Sequence, residues 1–200
     1  QPVTGDHREQ LVVENLAPHG LERTWHHRVM TRYVAFLRGV NVGGVNLKMA
    51  EVASALGEAG FTGVRTVLAS GNVVLDATGS PASVRKRAEA TLREAFGYDA
   101  WVLVYPLDAV RAIADGYPFE PEVAGQHSYV TFVSDPDVLE ELAALEAQPQ
   151  EKIARGDGVL YWQVPKTGTL ESTIGKTMGK KRYKSSTTTR NLRTLGKVLR

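Results

Sequence analysis

Tyr33-Val34-Ala35-Phe36-Leu37-Arg38-Gly39-Val40 decides the fold. A run this apolar, with aromatic and β-branched residues, reads as a central strand. A glycine- and asparagine-rich turn follows over 41–48. Met49, Val52, Ala53 and Leu56 then fall at helical spacing, and Gly60 ends that helix. Val64 to Leu68 and Val73 to Leu75 are short strands around Ser70-Gly71-Asn72, a hairpin. Pro81 opens a second helix with Val84, Ala88, Leu92, Ala95 and Phe96 on one face. Arg85, Glu89 and Arg93 are spaced for i,i+4 ion pairs on the other, and Gly97 stops the helix. Trp101 to Tyr105 is a fourth strand. The order β-α-β-β-α-β is that of a ferredoxin-like unit.

The second half echoes the first. Leu107, Val110 and Ile113 predict a linking helix. Ser128 to Val133 is a strand. Asp135-Pro136 caps a helix that continues through Leu139, Leu142 and Ala143. Lys152 to Arg155 and Val159 to Val164 flank the turn Gly156-Asp157-Gly158. A last amphipathic helix is expected from about Thr189. The predicted fold class is α+β: two tandem ferredoxin-like subdomains with antiparallel sheets, over 30–106 and 107–200. Residues 1–29 lack periodicity and read as a poorly ordered extension, with Met30 a natural start.

Composition narrows the chemistry. Two hundred residues with 42% hydrophobic content suffice for a real core. Cysteine is absent, which removes disulfides, thiolate metal sites and thiol catalysis. No apolar run is long enough for a membrane span, and no signal peptide is evident, so a cytoplasmic protein is expected. The pair His26-His27 lacks further ligands at metal spacing, and neither metal nor cofactor is expected.

The net charge of +2 hides an asymmetry. Residues 1–29 hold three basic and four acidic side chains, and residues 30–165 hold eleven and seventeen. Residues 166–200 hold ten and one, a local excess of +9 that suits a polyanionic partner. Arg190, Arg193, Lys197 and Arg200 fall on one side of the predicted last helix, opposite Leu192, Leu195 and Leu199. Upstream, Lys180, Lys181, Arg182 and Lys184 surround Tyr183, a pattern suited to phosphate contact with stacking. These nine residues are the candidate nucleic-acid contacts.

A second candidate site gathers at the turns. Arg38, Asn41, Gly43, Gly44, Asn46 and Lys48 fill a strand–turn–helix in which amides would converge on an anion. Ser70 and Asn72 add a hydroxyl and an amide. The same residues also serve as plain turn formers. Gly175-Lys176-Thr177 lacks the earlier glycine of a phosphate-binding loop, Gly39, Gly43 and Gly44 miss the dinucleotide spacing, and Arg155-Gly156-Asp157 is better read as a turn. No catalytic set is recognisable.

Met30 through Gly44, Thr66 through Val74, Pro118-Phe119 and Thr189-Arg190-Asn191 together resemble the domain-of-unknown-function 1697 family. Leu192 stands where members often carry Trp, which leaves a core-facing role there. The resemblance implies a tandem ferredoxin-like fold and brings no established activity, cofactor or catalytic residue. Three functions follow as expectations. The first is binding of nucleic acid or a phosphorylated small molecule. The second is an enzyme acting on a small anionic metabolite between the subdomains. The third is a structural or oligomerising module.

Overall fold

The structure, a computed structural model, describes residues 29–41, 45–97 and 99–200. Residues 1–28 of the expected extension over 1–29, with His26 and His27, lie outside the described residues, as do Gly43 and Gly44. The fold is mixed α+β, with two four-stranded antiparallel sheets and six α-helices among the described residues. The first half contains β1 (Met30–Arg38), α1 (Met49–Glu58), β2 (Thr62–Val67), β3 (Asn72–Thr78), α2 (Pro81–Phe96) and β4 (Trp101–Pro106). Its sheet has the order β2-β3-β1-β4. After α3 (Leu107–Asp115) come β5 (Gln126–Val133), α4 (Pro136–Ala143), β6 (Lys152–Arg155), β7 (Val159–Pro165), α5 (Thr173–Met178), β8 (Thr187–Asn191) and α6 (Leu192–Val198). The second sheet repeats the arrangement as β6-β7-β5-β8.

β1 is apolar without alternation because both of its faces are covered. Tyr33, Ala35 and Leu37 join the core beneath α1 and α2. Val34 and Phe36 point the other way, into a core shared with Val130, Phe132, Val159 and Tyr161 of the second sheet. Phe36 and Phe132 meet there with ring centroids 4.7 Å apart, and Tyr105 lies 5.0 Å from Phe132. The outer face of the second sheet carries a third core with Leu139, Leu142, Trp162 and Ile174. The sheets therefore pack face to face, with helices outside both and α3 and α6 filling the margin.

Local signals explain the boundaries. Ser80 accepts a bond from the Ser83 amide ahead of Pro81, and Gly97 closes α2 in the left-handed region. Asp135 caps α4 in the same way. The ion-pair ladder on α2 is only half formed. Arg85 pairs with Glu89 at 2.8 Å, but Arg93 turns to Asp99 at 3.0 Å, because Glu89 also accepts the Val102 amide.

The larger difference concerns the C-terminal segment. The expected helix from Thr189 is strand β8 up to Asn191, and α6 begins only at Leu192. Three consecutive β-branched threonines favour a strand, and the Asn191 side chain, not Thr188 or Thr189, caps the helix by accepting the Arg193 amide at 2.9 Å. Helix α5 was not expected from the sequence at all.

α6 is tied to β2 of the first sheet and to α3. Arg65 donates to the Val198 carbonyl at 2.9 Å, and Arg111 of α3 donates to the Leu199 carbonyl at 3.2 Å. Both satisfy carbonyls at a helix end.

The core between the sheets also sets an alkaline limit. Burial pushes the Tyr105 phenol up to about 12. A raised folded pKa means the neutral phenol stabilises the fold below the unfolded value, and this contribution fades as pH climbs from about 10 toward 12. Tyr105→Phe is expected to leave neutral-pH stability nearly unchanged and to lessen the alkaline loss. Urea midpoints at neutral pH and at about pH 11 check this; equal alkaline losses in both proteins would count against it.

Candidate functional site

The site grows from three chain segments that the fold brings together. β1 ends at Arg38, where Gly39 and Asn41 take positive φ to turn the chain. The β2–β3 hairpin delivers Ser70 and Gly71 beside it. Gly71 is required: its φ is +75°, and a Cβ there would lie 2.9 Å from the Leu37 carbonyl. From the second sheet, β8 contributes Thr188, Thr189 and Arg190. With Arg38, Gly39, Asn41 and Ser70 they line a cavity of about 400 Å³ between the two halves.

Arg190 crosses that boundary. Its Nε donates to Asn72 Oδ1 at 2.5 Å, and its Nη1 donates to Thr188 Oγ1 and the Thr189 carbonyl at 2.8 and 2.9 Å. Nη2 reaches the Leu37 carbonyl at 3.2 Å and, at longer range, those of Ser70 and Gly71. Asn72 is held for this task, donating to the Val67 carbonyl and to Ser70 Oγ, both at 2.9 Å. The guanidinium also lies over the Phe36 ring, 4.9 Å from its centroid. Every acceptor of Arg190 among the described residues is neutral.

Arg38 stands in the same cavity with a different balance. Its Nη1 is buried and has no partner among the described residues. No acidic side chain of the described residues lines the cavity. Burial pushes the Arg38 pKa down. Burial first, and the Arg38 charge second, push Arg190 down to about 10. Two guanidinium groups thus share a partly dry space without a carboxylate, an arrangement proteins ordinarily avoid.

The other turn residues are placed differently. Asn41 is a scaffold residue, donating to the Ala69 carbonyl at 2.6 Å and accepting the Leu47 amide at 3.0 Å. Asn46 is exposed and does not line the cavity, and Lys48 pairs with Glu51 at 3.2 Å. The expected convergence therefore includes Arg38, Asn41 and Ser70 directly and Asn72 through Arg190.

The basic segment is also divided by the fold. Arg190 is buried instead of belonging to a solvent-facing stripe, because it sits on β8 facing the first sheet. Tyr183 is buried as well, donating to Glu141, which also pairs with Arg182. A ring held in this way is not free to stack on a base. Lys180, Lys181, Arg182 and Lys184 remain exposed around it, and Arg193, Lys197 and Arg200 are exposed on and beyond α6.

Thr188 and Thr189 are polar lining residues that sequence reasoning did not single out for a site. The available signal was their place beside the Arg190-Asn191 pair. Three segments of the family resemblance, at Arg38-Gly39, Ser70-Gly71-Asn72 and Thr189-Arg190, meet at this cavity. Among the described residues, no three His, Cys, Asp or Glu side chains are grouped to hold a metal ion. No helix there is long and apolar enough to cross a membrane.

Comparison with known proteins agrees with the architecture. Residues 30–161 match the family described as "Protein of unknown function (DUF1697)". The fold is similar to that of the conserved bacterial protein SP0830 from Streptococcus pneumoniae, with a TM-score of 0.72 at 22% sequence identity, covering 86% of this chain and 97% of that one. No curated protein matches the chain.

Proposed function

We propose, for a chain that belongs to the DUF1697 family of proteins of unknown function, that the cavity between its halves binds a small anion carrying a phosphate or carboxylate group. The observation that carries this reading is the buried, partnerless Nη1 of Arg38 beside the Arg190 guanidinium. A buried donor left unmade costs on the order of 1–3 kcal/mol, more when charged. An anion between the two groups would remove that cost and screen their repulsion. Arg190 is the fixed member, locked by neutral acceptors, and Arg38 is the member with bonding capacity to spare.

We read each half, 30–106 and 107–200, as a ferredoxin-like unit. The recurrence of one strand order in both sheets supports this. The binding site would then be a product of the pairing of the units, absent from either alone.

The test is Arg38→Gln. Without ligand, the variant is expected to melt at the same temperature as the parent or higher, because an uncompensated charge is gone. Inorganic phosphate or pyrophosphate, at fixed ionic strength, is expected to stabilise the parent only. At about a hundredfold excess over Kd the gain is about 2.7 kcal/mol, or roughly 5–10 °C for a chain of this size. An equal rise in the variant, or none in the parent, sinks the proposal.

A further inference from the structure

We infer a second site, which binds a nucleoside phosphate between α6 and the segment leading into β5. It shares no lining residue with the cavity at Arg38 and is larger, about 560 Å³, within the range of small-molecule sites. Its lining combines cationic and apolar residues. Lys166, Arg193, Lys197 and Arg200 line it against a single carboxylate, Glu122. Glu122 reaches Arg193 at 3.4 Å, but both side chains are about two-thirds exposed, so the pair is weak and readily exchanged for a phosphate. Arg193, Lys197 and Arg200 recur at intervals of four and three, which puts them on one side of the helix and its extension.

The apolar part is made by Pro121, Val123 and Leu192. Val123 is more than one-third exposed and belongs to none of the three cores. Gln126 also lines the cavity, and its side-chain carbonyl oxygen is buried without a partner among the described residues. That atom calls for a donor, which ionised phosphate oxygens lack and a base N–H supplies. A molecule with a phosphate, a flat ring and an N–H donor satisfies all three features. The cavity has a small-molecule volume, which favours a mononucleotide over a polynucleotide strand.

Adenosine monophosphate, ribose 5-phosphate and a short oligothymidylate are the probes, added to the full chain labelled for amide NMR. AMP is expected to shift amides within 122–128 and 193–200, with an affinity about tenfold above that of ribose 5-phosphate. The double variant Lys197→Ala/Arg200→Ala alters only exposed side chains. It is expected to keep the parent's melting temperature and to weaken AMP at these amides by about tenfold or more. Three results overturn the inference: AMP leaves these amides unmoved, ribose 5-phosphate binds there as tightly, or only the oligonucleotide shifts them. Because the amides of 38–41 and 69–71 report on the other cavity, failure here is distinguishable from failure there.

Discussion

Arg190→Met is expected to destabilise the fold by about 2–4 kcal/mol and to abolish anion binding between the halves. Methionine fills much of the space but donates nothing. Asn72 Oδ1, fully buried, loses its donor, and the Leu37 carbonyl loses the Nη2 donor, while the Gly71 carbonyl keeps the Leu37 amide. Relief of repulsion from Arg38 and the recovered hydration of the guanidinium offset part of the loss, which keeps the figure below that of a severed buried ion pair. Arg190→Lys restores the charge without the planar fork, and it is expected to recover less than half of the lost stability. Urea denaturation of the three proteins gives the values. A methionine variant within about 0.5 kcal/mol of the parent would show that the bonds across the halves carry little.

The contrast with Arg38 is the informative part. Two arginines of one cavity should respond oppositely to loss of charge, since one is satisfied by the protein and the other is left over. The double variant closes the cycle. The methionine substitution should cost more in the Arg38→Gln background if the two charges repel in the folded state, because no repulsion is then left to relieve.

Phe132→Ala is expected to cost about 3–5 kcal/mol, the largest effect of a single substitution proposed for this chain. Phe132 is fully buried at the centre of the face-to-face contact, against Phe36 and Tyr105. The loss should be felt in both halves. Hydrogen exchange is expected to lose protection by similar free energies in β1 and in β5, which lie on opposite sides of the contact. If β5 alone loosens and β1 keeps its protection, the halves unfold independently and the shared core is not a cooperative unit.

Much of the architecture was readable because its signals are local. The apolar run at 33–40, the Pro81 and Asp135-Pro136 helix starts, and the Ser70-Gly71-Asn72 and Gly156-Asp157-Gly158 turns each act within a few residues. β8 was missed because Thr187, Thr188 and Arg190 are buried through polar contacts, so the strand shows no apolar alternation. The helical spacing of Leu192, Leu195 and Leu199 then drew the expected helix upstream. Arg190 was read as a surface cation because its acceptors at Asn72 and Leu37 are distant in sequence. Arg38 was identified as a candidate from its place at a strand end, but a missing partner is visible only in three dimensions. Tyr183 misled for a similar reason: its carboxylate partner, Glu141, precedes it by more than a helix and two strands.

The bonds that join Arg190 to the first half span 118 residues to Asn72 and 153 to Leu37. During translation, β1 can pair with β3 and β4 long before β8 exists. For that interval the side of the first sheet bearing Val34, Phe36 and Val74 has no cover, and it is a sticky surface for any neighbouring nascent chain. Closing so wide a loop is also among the slower steps a domain of this size can take. Assembly is therefore ordered in time: the first sheet forms early and waits, and the anion cavity comes into being only as its far wall arrives. A cell that depletes its holding chaperones should lose this protein at that waiting stage, before any ligand has a place to bind.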